Sequence, residues 1–217
     1  RICRDSGRDL PRLAVIIRAG TAETPHASHI LSDLRHGTMI GTRHLIGLGH
    51  CDILFVIHRN PYLMPGRRPQ DDDGEYGEVV RGYVDALAEA GLGERQRLFF
   101  LEHEFAEGSG EREALRQLLS APDRPSAVFA YGDYRAKHVV DIAADMGLRV
   151  PADLAVIGFW NTPWTDLVRV PLTSVSIRED EIARLAVESL LSPSRQSATE
   201  WVKPELVIRQ SCGPKAV

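Results

Sequence analysis

Cysteine is scarce in this chain: Cys3, Cys51 and Cys212 stand far apart, with no C-x-x-C pair among them. An odd, widely spaced set excludes a disulfide framework and a cysteine zinc site, and reads as reduced thiols of a cytoplasmic protein. Long apolar runs are absent too, so no segment reaches the length of a membrane span, and no charged-then-apolar leader opens the sequence. The chain is expected to be neither membrane-anchored nor exported. It also lacks excess basic charge: 26 Lys and Arg against 30 Asp and Glu leave a formal charge of −4. Non-specific DNA affinity comes from neutralising phosphates with Lys and Arg, so this segment is not expected to hold duplex DNA by itself.

Signatures of chemistry are missing as well. No Gly-x-Ser-x-Gly elbow occurs. Gly91-Leu92-Gly93 follows a helical pattern instead of a strand, and Gly108-Ser109-Gly110 runs into Glu111 and Glu113, which would repel phosphate. His26-Ala27-Ser28-His29 and Glu102-His103-Glu104 have neither the i, i+4 spacing nor the cysteine partners of a metal site, and read as solvated loops. No set of nucleophile, base and orienter is found, so an enzyme is not expected, nor a metal or cofactor.

What is present is an alternation. Hydrophobic content of 43% with 26% charged residues is ordinary for a soluble globular protein, and 217 residues suffice for one large core or two small ones. Apolar runs of strand length occupy Leu13 to Ile17, Ile53 to Ile57, Leu98 to Leu101, Ala127 to Tyr131 and Leu154 to Phe159. Helical spacing fills Leu34 to Leu48, Tyr76 to Ala90, Gly110 to Leu119, Tyr134 to Met146 and Glu179 to Leu191. Asp33 and Asp133 are N-cap candidates, and Gly49 and Gly147 suit left-handed helix ends. Strand, helix and strand in turn predict an α/β fold with a parallel sheet covered on both faces. Gly66 to Gly74 is a polar loop, basic then acidic, and Ser192 to Thr199 reads as a connector.

Several motifs then stand in a telling order. They are Arg43-His44-Leu45-Ile46-x-x-Gly49-His50, Arg81-Gly82-Tyr83-x-x-Ala86-Leu87, Gly132-Asp133-x-x-Ala136, Gly147-x-x-Val150-Pro151-x-Asp153, Val156-Ile157-Gly158-Phe159, Pro171-Leu172-Thr173-Ser174-Val175, and Leu206-Val207-Ile208-Arg209-Gln210-Ser211. This series resembles the effector-binding domain of LacI-type transcriptional regulators, from about Leu10 to Ser211. The resemblance implies a periplasmic-binding-protein-like fold of two Rossmann-like subdomains with parallel sheets. On that pattern residues 1–49 plus 172–195 form an N-terminal subdomain, incomplete in this chain, and residues 50–171 plus 196–217 a C-terminal one. The crossings would fall at His50-Cys51, around Pro171, and in the Ser192 to Thr199 connector. Members of the family carry a helix-turn-helix and two further β-α units ahead of the strand matched to Leu13 to Ile17. The chain is therefore expected to be a fragment, with operator DNA bound through the missing helix-turn-helix. The family pattern also implies a homodimer, through Arg135 to Met146 and Pro163 to Val168, with Arg135, Val139, Val140, Trp164 and Leu167 as contacts.

Ligands of two-lobed α/β proteins bind where loops converge at the carboxyl ends of strands. Those loops here offer Ile17, Arg18, Arg59, Gly132, Asp133, Trp160, Asn161, Ile177 and Arg178, with Val79 on the neighbouring helix. In sugar- and purine-responsive members, by resemblance, an acid ends the first strand, an arginine stands three positions before the Gly-aromatic pair, and an aspartate follows Gly-Phe. This sequence has Ile17, Val79 and Trp160 at those places. A sugar hydroxyl buried without its partner costs about 1–3 kcal/mol, so three lost partners disfavour a simple sugar. Either a flatter, more apolar effector stacks on Trp160, or Trp160 fills an empty cleft and the domain only dimerises. Arg18, Arg59, Asn161 and Arg178 are candidates for holding an anion. The competing reading is a periplasmic-type solute-binding protein, which shares the fold; an enzyme on a doubly wound sheet comes third.

Overall fold

Two sheets, each assembled from separated stretches of sequence, organise the computed structural model. It describes residues 13–15, 28–59, 68–72, 74–102, 105, 108–191 and 199–215. The strands are β1 (Leu13–Val15), β2 (Ser28–Ser32), β3 (Ile53–His58), β4 (Arg97–Leu101), β5 (Ala127–Ala130), β6 (Ala155–Phe159), β7 (Thr173–Ser176), β8 (Thr199–Val202) and β9 (Glu205–Val207). The helices are α1 (Leu34–Gly47), α2 (Glu75–Glu89), α3 (Gly110–Ser120), α4 (Asp133–Asp145) and α5 (Glu179–Leu191). A small parallel sheet runs β1-β2-β8, and a larger one β4-β3-β5-β6-β7-β9, with only the edge strand β9 antiparallel.

The strands β3, β5 and β6 are apolar along their buried length because both their faces are covered. Along β3, Ile53, Phe55 and Ile57 point into one core with α1 and α2, while Leu54 and Val56 point into a second with α3 and α4. That is the two-residue period of a strand read as two separate cores. Tyr83 crosses the first of them, donating to the Ile53 carbonyl at 2.8 Å and accepting from the Arg97 amide at 2.9 Å, and burial pushes its phenol up to about 12.

Helix ends follow their local chemistry. Asp33 caps α1 by accepting from the His36 amide at 2.9 Å, and Gly49 and Gly147 take positive φ after α1 and α4. Ser109 caps α3 in the same way. The short strands are where the sequence pattern falls silent. Ser28 and His29, expected in a solvated loop, begin β2, and β7, β8 and β9 lie outside the apolar runs. Within the polar loop Gly66 to Gly74, Pro69–Asp71 forms a 3₁₀ turn, fastened to α2 by Arg81, which donates to the carbonyls of Gln70 and Asp72 at 2.7 and 2.8 Å.

Sheet membership departs from the expected division in three places. α1, expected with the N-terminal subdomain, lies on the large sheet, where Gly37 and Gly41 let it approach Phe159, Phe129 and Val175. β7, expected there too, pairs with β6 and β9. β8, expected in the C-terminal subdomain, closes the small sheet beside β2, with α5 packed on β1 and β2. The chain therefore crosses at Asp33, after β7, and between β8 and β9. His50 sits within the large unit, its ring bonded to Ser126 Oγ at 3.0 Å and to the Gly213 carbonyl at 2.9 Å. Among the described residues, no helix is long and apolar enough to cross a membrane.

Candidate functional site

The carboxyl ends of β3, β5 and β6 deliver an aromatic floor. His58, at the end of β3, lies 6.5 Å from the Tyr131 ring and 6.1 Å from Tyr76. Tyr131 in turn lies 5.6 Å from Trp160, and Trp160 stands edge-on to Phe159 at 5.2 Å. The Tyr131 hydroxyl donates to Glu75 at 2.6 Å, at the start of α2. Such a row offers stacking faces and edges to a planar ligand.

Beside this floor is a cavity of about 260 Å³, lined by Gly132, Asp133, Tyr134, Arg135, Trp160, Thr162 and Trp164. The two loops that form it follow β5 and β6, and a buried carboxylate joins them. Asp133 is 1% exposed; it accepts from the Thr162 amide at 2.6 Å, the Thr162 hydroxyl at 2.9 Å and the Ser174 hydroxyl at 2.5 Å. Burial pushes its pKa above the ordinary carboxylate value, and these hydrogen bonds pull against that shift. The cap of α4 is Gly132, at φ 125°, not Asp133. The sequence alone assigns that carboxylate to its own helix; the structure gives it to two other elements.

The backbone leaving β6 and β7 is held in an uncommon conformation. Trp160, Asn161 and Arg178 have φ of 96°, 50° and 59°. Trp160 at φ 96° is an outlier for a bulky side chain, and such outliers gather at functional sites. The surroundings enforce it. The Trp160 amide donates to the Val175 carbonyl at 2.8 Å, and the Asn161 amide to Ser174 Oγ at 3.1 Å. Arg209 then donates to Asn161 Oδ1 and to the Leu172 carbonyl, both at 2.9 Å.

Other expected cleft residues fare differently. Val79 and Ile177 are fully buried in the core shared with Phe55 and Phe129, so neither is available to touch a ligand. Helical spacing places Val79 on the inner face of α2, whatever the motif suggests for that position. Arg59 pairs with Glu102 and covers the Phe100 ring at 5.5 Å, leaving its charge already partnered. Arg178 lies at the end of β7, its amide donating to Ser176 Oγ at 3.1 Å. Ile17 and Arg18 lie outside the described residues.

The expected dimer contacts also divide. Val139 and Val140 are 0% and 2% exposed and belong to the core on the α3 and α4 side, so they cannot meet a partner. Arg135 folds back, donating to the Tyr131 carbonyl at 2.6 Å. Trp164 and Leu167 are exposed at 42% and 69%, joined by Tyr134 at 44%, whose ring is 5.8 Å from Trp164 and 4.5 Å from His138. Sequence reasoning missed Tyr131, Tyr134, Thr162, Ser174 and Arg209. Three of them carried a signal: Thr162 lies in the expected cleft loop Trp160 to Trp164, and Ser174 and Arg209 each lie inside a motif already singled out.

Comparison with known proteins agrees with the fold. Residues 42–212 match the family model described as a periplasmic binding protein-like domain. An HTH-type transcriptional repressor PurR from Erwinia tasmaniensis is 31% identical over 208 residues, 94% of this chain and 57% of that protein. The chain thus spans little more than half the length of the curated relatives it matches. Among solved structures, a LacI transcriptional regulator from a Rhodococcus species superposes with a TM-score of 0.74 at 25% identity, covering 95% of this chain and 71% of that one. A LacI family transcriptional regulator from Mycobacterium smegmatis gives a TM-score of 0.67 at 27% identity, covering 91% and 69%. The chain belongs to the periplasmic binding protein-like domain family, in the form carried by LacI-type transcriptional regulators.

Proposed function

We propose that this chain is the ligand-sensing and dimerising domain of a LacI-type DNA-binding transcriptional regulator. The carrying observation is the aromatic-walled cavity at the carboxyl edge of the large sheet, one loop away from an exposed aromatic patch. An effector closing the cleft would turn one lobe on the other, and in a homodimer that motion changes the spacing of two DNA-binding heads on an operator. The ligand's influence is bounded by its differential affinity for the two arrangements. DNA contact would fall to a helix-turn-helix of the kind named in the relatives. With a formal charge of −4, residues 1–217 alone should bind duplex DNA negligibly. The relatives named are regulators, which favours a non-enzymatic, cytoplasmic role over a solute carrier of the same fold.

The chemistry of the cavity favours a partly apolar or aromatic effector. Trp160, Trp164 and Tyr134 offer ring faces, whereas the Asp133 carboxylate is already consumed by Thr162 and Ser174. Stacking on an indole contributes about 0.5–1.5 kcal/mol beyond area burial, so Trp160→Ala should weaken an aromatic effector several-fold. Calorimetric titration against pentoses, hexoses and nucleobases tests this reading. Negligible binding of free sugars is expected, and micromolar binding of any one of them would overturn it.

A further inference from the structure

The segment from Trp160 to Asp166 begins in the cleft and ends in the exposed patch, and it is tied down from both sides. Trp160 lines the cavity and meets Tyr131; Trp164 lines the same cavity and meets Tyr134 on the surface. Midway, both the amide and the hydroxyl of Thr162 are fixed by the buried Asp133 carboxylate, whose other oxygen is fixed by Ser174 on β7. The hydroxyl of Thr165 donates to the Thr162 carbonyl at 2.9 Å, continuing the order towards Trp164. On the far side Arg209 holds Asn161 and lies 3.4 Å from Asp166. A segment with so many fixed points moves as a body instead of flexing residue by residue.

We propose that Asp133 is the positioning residue that makes Trp160 and Trp164 one lever, so that a change in the cleft alters self-association at the patch. This rests on the reading above that the cleft binds an effector and the patch meets a second copy. The physical logic is that of coupling through a contiguous, rigid element with its own anchors. The bonds of Asp133 are long-range, to residues 29 and 41 positions away, and so report on tertiary arrangement instead of helix capping. Removing the carboxylate frees Thr162 from α4, leaving Trp160 and Trp164 on a loop that is no longer shared.

A double-mutant cycle on the full chain tests this without any ligand. Trp160→Gly perturbs the cleft end, and Asp133→Asn keeps the shape but leaves one carboxylate oxygen's acceptor role unfilled. Self-association is read by sedimentation, and the patch end by the fluorine resonance of Trp164 in 5-fluorotryptophan-labelled protein. In the unchanged background Trp160→Gly should alter self-association by about fivefold or more and move the Trp164 resonance; with Asp133→Asn the effect should fall below about twofold. The direct loss of one neighbouring indole is common to both backgrounds and cancels in the comparison. Equal effects with and without the carboxylate would overturn the lever while leaving the dimer intact. A chain that stays monomeric throughout would remove the dimer reading, and the fluorine comparison would still decide the lever. Should Asp133→Asn fail to fold, Thr162→Val and Ser174→Ala remove its two hydroxyl bonds from the other side, leaving the Thr162 amide bond, and each should reduce the coupling partway; no reduction in either overturns the proposal.

Discussion

Arg178 holds a backbone conformation that its side chain does nothing to justify. At φ 59° an L-residue other than asparagine carries a penalty of about 1 kcal/mol, and the two hydrogen bonds made there, from its amide to Ser176 Oγ and from the Ile182 amide to its carbonyl, are main-chain on its side. Arg178→Gly keeps both bonds and sets relief of that penalty against glycine's entropic cost of about 0.5–1 kcal/mol, so the fold should gain no more than about 0.5 kcal/mol, read as a level or slightly raised urea midpoint with unchanged slope. Trp160 is the contrasting case. Glycine there relieves φ 96°, worth about 1–2 kcal/mol, but loses ring contacts to Tyr131 and Phe159, each worth about 0.5–1.5 kcal/mol beyond area burial, together with the indole's packing on the core, so Trp160→Gly should lower the urea midpoint on balance. At this scale the sequence was legible wherever the partner is local, as with Asp33 and His36. It was illegible where the partner is remote: Asp133 looks like a cap because nothing nearby reveals Thr162 and Ser174. Val139 and Val140 show the other failure. Periodicity marks an apolar stripe on α4, but it cannot say that the stripe faces α3 and the sheet instead of a partner.

The packing of α1 on α2 depends on one missing side chain. A Cβ on Gly82 would collide with the Arg35 carbonyl and meet the Thr38 Cβ at 3.0 Å. In a solvated helix Gly→Ala gains about 1 kcal/mol, whereas overpacking against backbone costs about 1–3 kcal/mol, and a carbonyl cannot rotate away as a side chain can. The clash should win, so Gly82→Ala is expected to lower the thermal midpoint, while Ala at Gly47, which has open space, should not. Helices were the legible elements because their ends are set by adjacent residues. β2, β7, β8 and β9 were not, since short strands are defined by what they pair with. β7 is the extreme example: Thr173 and Ser174 are fully buried yet polar, satisfied by Ser211, Arg209 and Asp133 from elsewhere in the chain. The cleft inherits the same difficulty, because β7 and the loop after β6 supply most of its anchoring bonds.

Stability of the whole molecule should be sensitive to mild acid through two histidines. Burial lowers the proton affinity of both His44 and His50 below the ordinary value of 6.5. The unfolded chain then takes up protons first as pH falls, so stability is full above about pH 7 and is lost progressively through the ordinary histidine range. Asp133 has the opposite sign, its raised value making stability fall as pH rises above the ordinary 3.8, a lower window. Thermal unfolding at about pH 7.5 and about pH 5.5 should show a lower midpoint in acid, and His50→Gln should shrink that difference. Tyr83 stays neutral throughout, its phenol held at about 12. The order of strands in the small sheet bears on synthesis. β2 pairs with β8, and β8 is not complete until Val202 has been added. A chain emerging from a ribosome can form the β3-β5-β6 centre of the large sheet early, but one edge of β2 must wait, with its backbone donors and acceptors open, until nearly the last of these residues is made. Translation therefore completes the larger lobe's central strands before the smaller lobe can close.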